Sequence, residues 1–127
     1  MSGNIAPREM AVISKPWETY QDAINFRQSY LKLLPLIQFN YCRVNPVPVK
    51  SLAKALGLPA GDLRKPYLNM TGPALQRGVE IVRNLGLVEQ YDFQINENDF
   101  ADQQASASLN ASAASREQTD PGKCFIG

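Results

Sequence analysis

The sequence predicts an all-α fold: a small bundle of about four helices followed by a disordered tail. Three observations carry this. Apolar residues recur at helical spacing in four stretches, prolines and glycines stand at the borders of those stretches, and the composition turns to Asn, Asp, Gln, Ser and Ala after Phe93. The helical module is expected over residues 1–91 and a low-complexity acidic tail over residues 92–127.

The first helix is expected from Pro7, whose missing N–H is harmless in a first turn, with Asn4 just upstream as its capping side chain. Pro16 ends it, and Met10 and Ile13 give it one apolar face that needs a neighbour. The second runs from about Thr19 to Tyr41, with apolar positions at Tyr20, Ala23, Ile24, Tyr30, Leu31, Leu34, Ile37 and Tyr41. Pro35 lies inside it and removes the bond that residue 35 would donate to the Leu31 carbonyl, so a kink or a split is expected there. Asn45-Pro46-Val47-Pro48 is expected to be extended or a turn, because a residue before proline is pushed out of the α region.

Val49, Leu52, Ala53 and Leu56 then form the apolar face of a third helix, ended by Gly57 in the left-handed conformation and by Pro59. Leu58 to Met70 reads as an ordered loop. The fourth helix starts at Thr71-Gly72-Pro73, carries Leu75, Val79, Val82 and Leu85 on one face, and stops at Gly86. Gly78 in its middle costs roughly 1 kcal/mol against alanine and permits a close helix contact. From about residue 96 onward disorder is expected, since too few large apolar residues remain to offset roughly 1–2 kcal/mol of backbone entropy per residue.

Charge is unevenly spread. Through Tyr91 there are 11 basic and 6 acidic residues, and after it 2 basic and 6 acidic. The basic residues of the front are dispersed with no run of three, which describes a solvated surface rather than a nucleic-acid groove. No nucleic-acid partner is therefore expected. The strongest apolar run, Leu33 to Ile37, is far too short to cross a bilayer, and the first ten residues hold no apolar signal core. A cytoplasmic protein without a membrane partner is the expectation.

Catalytic chemistry finds little support. The sequence contains no histidine, which removes the usual serine or cysteine triads, and the carboxylates are scattered singly. Cys42 and Cys124 are far apart and without metal-ligand spacing, so reduced thiols are expected and no metal. No glycine-rich phosphate cradle occurs, so no nucleotide or other cofactor is expected. Lys32, Lys50 and Lys54 lie in helical segments with no visible desolvating pocket and read as solvated lysines. Cys124-Phe125-Ile126-Gly127 has the outline of a prenylation box, but its final glycine is unusual and no polybasic segment precedes it. Trp17, Tyr20, Phe26, Tyr30, Phe39 and Tyr41 cluster around the long helix, where core is the ordinary reading. In so small a module, part of that stripe is expected to face another subunit or domain.

One segment carries a resemblance. Asn45-Pro46-Val47-Pro48-Val49-Lys50, followed by a helix ending Ala55-Leu56-Gly57, resembles the N-P-x-P-V-K segment of the dihydrodipicolinate synthase and N-acetylneuraminate lyase family. Gly3 to Arg8 resembles the stretch leaving that family's last barrel strand, and Leu34-Pro35-Leu36 its kinked helix before the motif. Leu63 to Tyr67 resembles the arginine-leading loop, and Thr71 to Leu87 the final helix.

The resemblance implies a parallel (β/α) barrel that condenses or cleaves a 2-oxo acid through a lysine Schiff base, usually as a tetramer, with a helical C-terminal extension beside it. A complete barrel needs about 250 residues, and this chain has 127. The family's catalytic lysine, tyrosine and carboxylate-binding threonine lie on earlier strands, so no catalytic, cofactor or metal residue is carried over. Gly3, Asn4 and Asn45 to Lys50 inherit architectural roles. The expected product is a truncated barrel, an internal start or one piece of a split protein. It would be inactive alone and would partner a barrel-bearing chain or further copies of itself; the other reading is a stand-alone interaction or oligomerisation module.

Overall fold

The computed structural model describes residues 1–97 and, among them, is all-helical with no strand. A 3-10 turn at Ser2–Asn4 leads into α1 (Pro7–Ile13), α2 (Tyr20–Asn40), α3 (Val47–Ala55), α4 (Gly72–Asn84) and a short α5 (Leu87–Tyr91). The long α2 is the spine. It touches α1, α3 and α4, while α5 packs on α4 and the opening turn packs on α1, α2 and α3.

Each start has a local cause. α2 opens with a reciprocal capping box: Thr19 Oγ1 accepts from the Asp22 N–H at 3.3 Å, and Asp22 Oδ2 accepts from the Thr19 N–H at 2.8 Å. That bonding holds the Asp22 carboxyl below its usual range, the Thr19 hydroxyl contributing most. α1 begins at Pro7 as expected, but its cap residue is Ala6 and no side chain caps it; Asn4 belongs to the 3-10 turn instead. α3 starts earlier than expected. Val47 and Pro48 are its first two residues, because first-turn N–H groups have no intrahelical acceptor and proline forfeits nothing there. Pro35 does not split α2, which runs unbroken through it with the proline on its exposed side.

The core gathers Leu33, Leu36 and Phe39 of α2, Leu52 of α3 and Val79 and Val82 of α4, all nearly or fully buried. The register of α2 thus differs from the periodic set read in the sequence. Tyr20, Leu31 and Tyr41 belong to that set and are 83%, 54% and 68% exposed. Two apolar stripes coexist on this helix, and periodicity alone does not say which one the bundle takes. The aromatic cluster is mostly peripheral for the same reason: Phe39 is buried, whereas Trp17, Phe26 and Tyr30 form an outer ladder with ring centroids 5.0 and 5.7 Å apart.

Gly57 and Gly86 have positive φ, 78° and 70°, and end their helices as the sequence indicated. Gly57 does more than stop α3. A Cβ there would come within 2.7 Å of the Gln94 carbonyl oxygen, because residues 92–97 run back over the end of α3 and the Asn96 N–H donates to the Ala55 carbonyl at 3.0 Å. Phe93 and Ile95 pack against the core from the same strip. The remainder of the expected tail, with Leu109, Cys124 and the terminal Phe125-Ile126-Gly127, lies outside the described residues.

Candidate functional site

The Asn45–Lys50 corner positions the most motif-rich part of the molecule. From α3, Lys50 and Lys54 stand one turn apart on the same face and both reach Asp62 of the following loop. Lys54 Nζ donates to Asp62 Oδ1 at 2.6 Å, Lys50 Nζ donates to the Asp62 carbonyl at 3.1 Å, and Asn69 Nδ2 donates to Asp62 Oδ1 at 2.9 Å. The Lys54 bond, then Asn69, holds the Asp62 carboxyl below its ordinary value. Deeper in, the buried Ser51 hydroxyl donates to the Val47 carbonyl at 2.7 Å and accepts from the Met70 N–H at 2.8 Å, tying the far end of the loop to α3.

Beside this corner is a shallow, mainly apolar cleft of about 360 Å³ whose polar members are Asn4 and Lys50, over Val49, Ala53 and Leu58. The structure therefore brings together Asn4 and the Asn45–Lys50 corner, the two stretches to which the family resemblance assigns architectural roles. At the same opening turn, Asn40 is fully buried and donates through Nδ2 to Ser2 Oγ at 3.0 Å, joining the turn to the end of α2, while its Oδ1 meets no donor among the described residues.

A second cleft, of about 190 Å³, lies between α1, α2 and the α4–α5 turn. Arg8 and Glu9 of α1 and Lys32 of α2 stand on it, with Val12, Leu33 and Leu87 among its apolar walls. Glu9 is braced from α5: Tyr91 Oη donates to Oε2 and Gln90 Nε2 donates to Oε1, both at 2.7 Å. Burial pushes the Glu9 carboxyl up, but the bonds from Tyr91, its own backbone and Gln90 together outweigh it and leave the pKa below the usual carboxylate value. Tyr91 is displaced upward by burial and by the Glu9 bond, in spite of the Arg8 N–H it accepts at 3.0 Å. The sequence reading missed this clasp, since its partners lie some 82 residues apart and α5 is too short to show a period.

Of the lysines weighed in the sequence, Lys32 is exposed on α2, away from the Lys50–Lys54 pair. Lys15 and Lys65 are exposed as well, so among the described residues no lysine is buried. A nucleophilic amine needs desolvation or a like-charged neighbour to lose its proton near neutrality, and salt-bridged Lys54 has the opposite surroundings. Among the described residues no group of three metal-ligating side chains forms, and no helix is long and apolar enough to cross a membrane.

The described residues thus form an all-helical body turned at a proline-rich corner, with polar clusters that tie loops to helices. The chain belongs to the dihydrodipicolinate synthetase family, whose pattern matches residues 1–85. It is 32% identical over 88 residues to the 4-hydroxy-tetrahydrodipicolinate synthase of Endomicrobium trichonymphae, covering 68% of this chain and 29% of that protein. The enzyme of the same name from Methanocaldococcus jannaschii is 31% identical over 85 residues, covering 67% and 29%. A crystal structure of dihydrodipicolinate synthase superposes with a TM-score of 0.62 at 30% identity, over 68% of this chain and 30% of that one. The chain thus spans about 30% of the length of the relatives it matches, and the match falls on their C-terminal part.

Proposed function

We propose that this chain is a non-catalytic helical segment of the dihydrodipicolinate synthetase family, without lyase or aldolase activity by itself, acting with a barrel that another chain provides. The observation that carries this reading is the state of its amines. All five lysines of the described residues are exposed or half-exposed, and the two most sheltered, Lys50 and Lys54, are committed to Asp62. Schiff-base chemistry with a 2-oxo acid, the activity the family resemblance implies, requires an unprotonated amine in a desolvated pocket. The test is reductive trapping: the full chain is incubated with pyruvate and borohydride and weighed intact by mass spectrometry. The expected spectrum holds only the unmodified mass, and a stoichiometric pyruvyl adduct would overturn the proposal.

A second reading, an interaction or oligomerisation module, is favoured by one specific feature. The outer stripe of α2, with Tyr20, Leu31 and Tyr41, is large, apolar and exposed, which is a familiar mark of a surface that meets protein. Both readings place the chain as a docking element and differ in what covers that stripe. Affinity purification from native cells separates them, because a barrel-bearing chain recovered at near-equal amount supports the first and further copies of this chain alone support the second.

A further inference from the structure

The cleft between α1, α2 and the α4–α5 turn has a charge arrangement that the docking role does not use. Two cations, Arg8 and Lys32, stand on it, and neither takes part in a salt bridge among the described residues. The one carboxylate present, Glu9, receives a hydrogen bond on each oxygen, from Tyr91 and Gln90, and attracts Lys32 without forming a direct ion pair, so two cations against one anion leave the cleft with a net positive charge. Arg8 is steadied from behind, its guanidinium lying 5.8 Å from the centroid of the Tyr91 ring. Between these groups the floor is aliphatic: Val12, Leu33 and Leu87. The volume, about 190 Å³, has room for about six waters, and apolar walls with a few convergent polar groups are the usual make-up of a small-molecule site.

We propose that this cleft binds a small amphipathic monoanion, a short aliphatic carboxylate whose head meets Arg8 and Lys32 and whose tail lies on Val12, Leu33 and Leu87. The two halves of the recognition are separable. A bare inorganic anion satisfies the cations but leaves the aliphatic floor wet, and a neutral aliphatic amide covers the floor but leaves the cations unmet. The carboxylate is the simplest chemistry that does both, and the Tyr91–Glu9–Gln90 clasp keeps the walls in place before it arrives, which lowers the ordering cost of binding.

Nuclear magnetic resonance of the full chain tests this, with sodium pentanoate as the probe and sodium phosphate and pentanamide as comparisons at equal ionic strength. The expected result is a saturable shift of the backbone amides of residues 8–12 and 29–33 by pentanoate, with a dissociation constant on the order of 1 mM for so small a ligand. Lys32→Gln and Arg8→Gln each weaken it by about three- to tenfold, the range of a partly solvated charge-assisted bond. Both side chains are exposed, so spectra unchanged elsewhere verify that the variants fold. No saturable shift, equal binding of phosphate or pentanamide, or undiminished binding in both variants would each overturn the proposal. None of these outcomes bears on pyruvate trapping, so the two proposals fail independently.

Discussion

Gly78 faces the ring of Phe39 across the α2–α4 contact, and a Cβ at this position would lie 2.7 and 2.8 Å from Phe39 Cε1 and Cε2. Alanine would gain roughly 1 kcal/mol of helix propensity, whereas forcing extra volume into a packed contact costs about 1–3 kcal/mol. The ring is itself buried and cannot swing aside, so the second effect wins. Gly78→Ala is expected to lower stability by up to about 2 kcal/mol in urea unfolding, and a raised midpoint would show that the contact accommodates the added methyl. Glu9 gives a prediction in pH. Its carboxyl is depressed in the folded state, so the stability it contributes is fully present above the ordinary carboxylate value of 4.5 and is lost as pH falls through the lower folded value. Melting temperatures taken from pH 7 down to pH 3 should therefore fall less steeply for Glu9→Gln than for the native chain; parallel curves would deny the clasp that contribution. Gly78 was legible in the sequence as a glycine with a packing purpose, while the Glu9–Tyr91 pair was not, because no local spacing links residues on the first and last helices.

At the scale of elements, the boundaries were the most legible part. Pro7, Gly57, Pro73 and Gly86 do in the structure what their backbone chemistry dictates, and the four principal helices fall where the apolar spacing put them. The face of α2 was less legible, for a physical reason. Leu33, Leu36 and Phe39 point inward and Tyr20, Leu31 and Tyr41 outward, so the helix is apolar on two sides and a periodicity search finds both. The sequence left open whether Pro35 kinks or splits the helix, and the unbroken α2 removes the split. Because that proline is on the exposed side, Pro35→Ala should restore the bond to the Leu31 carbonyl without disturbing the core. The expected gain is on the order of 1–3 kcal/mol. A loss of stability in thermal unfolding would mean that the proline itself supports the contacts of α2 with α3 and α4.

At the scale of the whole molecule, the described body has a single core and several large apolar side chains left outside it, Leu68 at 78% exposure among them. A small domain buries a modest fraction of its surface and has little stability to spare, so the oligomerisation reading predicts association that covers the outer stripe of α2. Light scattering on the purified chain should show a mass that rises with concentration, and Leu31→Glu should suppress the rise. A constant monomer mass at every concentration would leave the oligomerisation reading without support and favour a different covering partner. The family relationship reached the sequence through the Asn45–Lys50 corner and its flanks, and it is confirmed over residues 1–85. The cleft at Arg8, Glu9 and Lys32 could not be read there, since it exists only once α1 and α5 are brought together.

Trp17, the sole tryptophan of the chain, sits at the outer end of the Phe26–Tyr30 ladder with 58% of its surface in water. Its indole fluorescence will start out red-shifted and will register fraying at the beginning of α2 before anything deeper gives way. Optical titrations that rely on that single fluorophore will therefore report a periphery, and circular dichroism at 222 nm is the signal that follows the bundle itself.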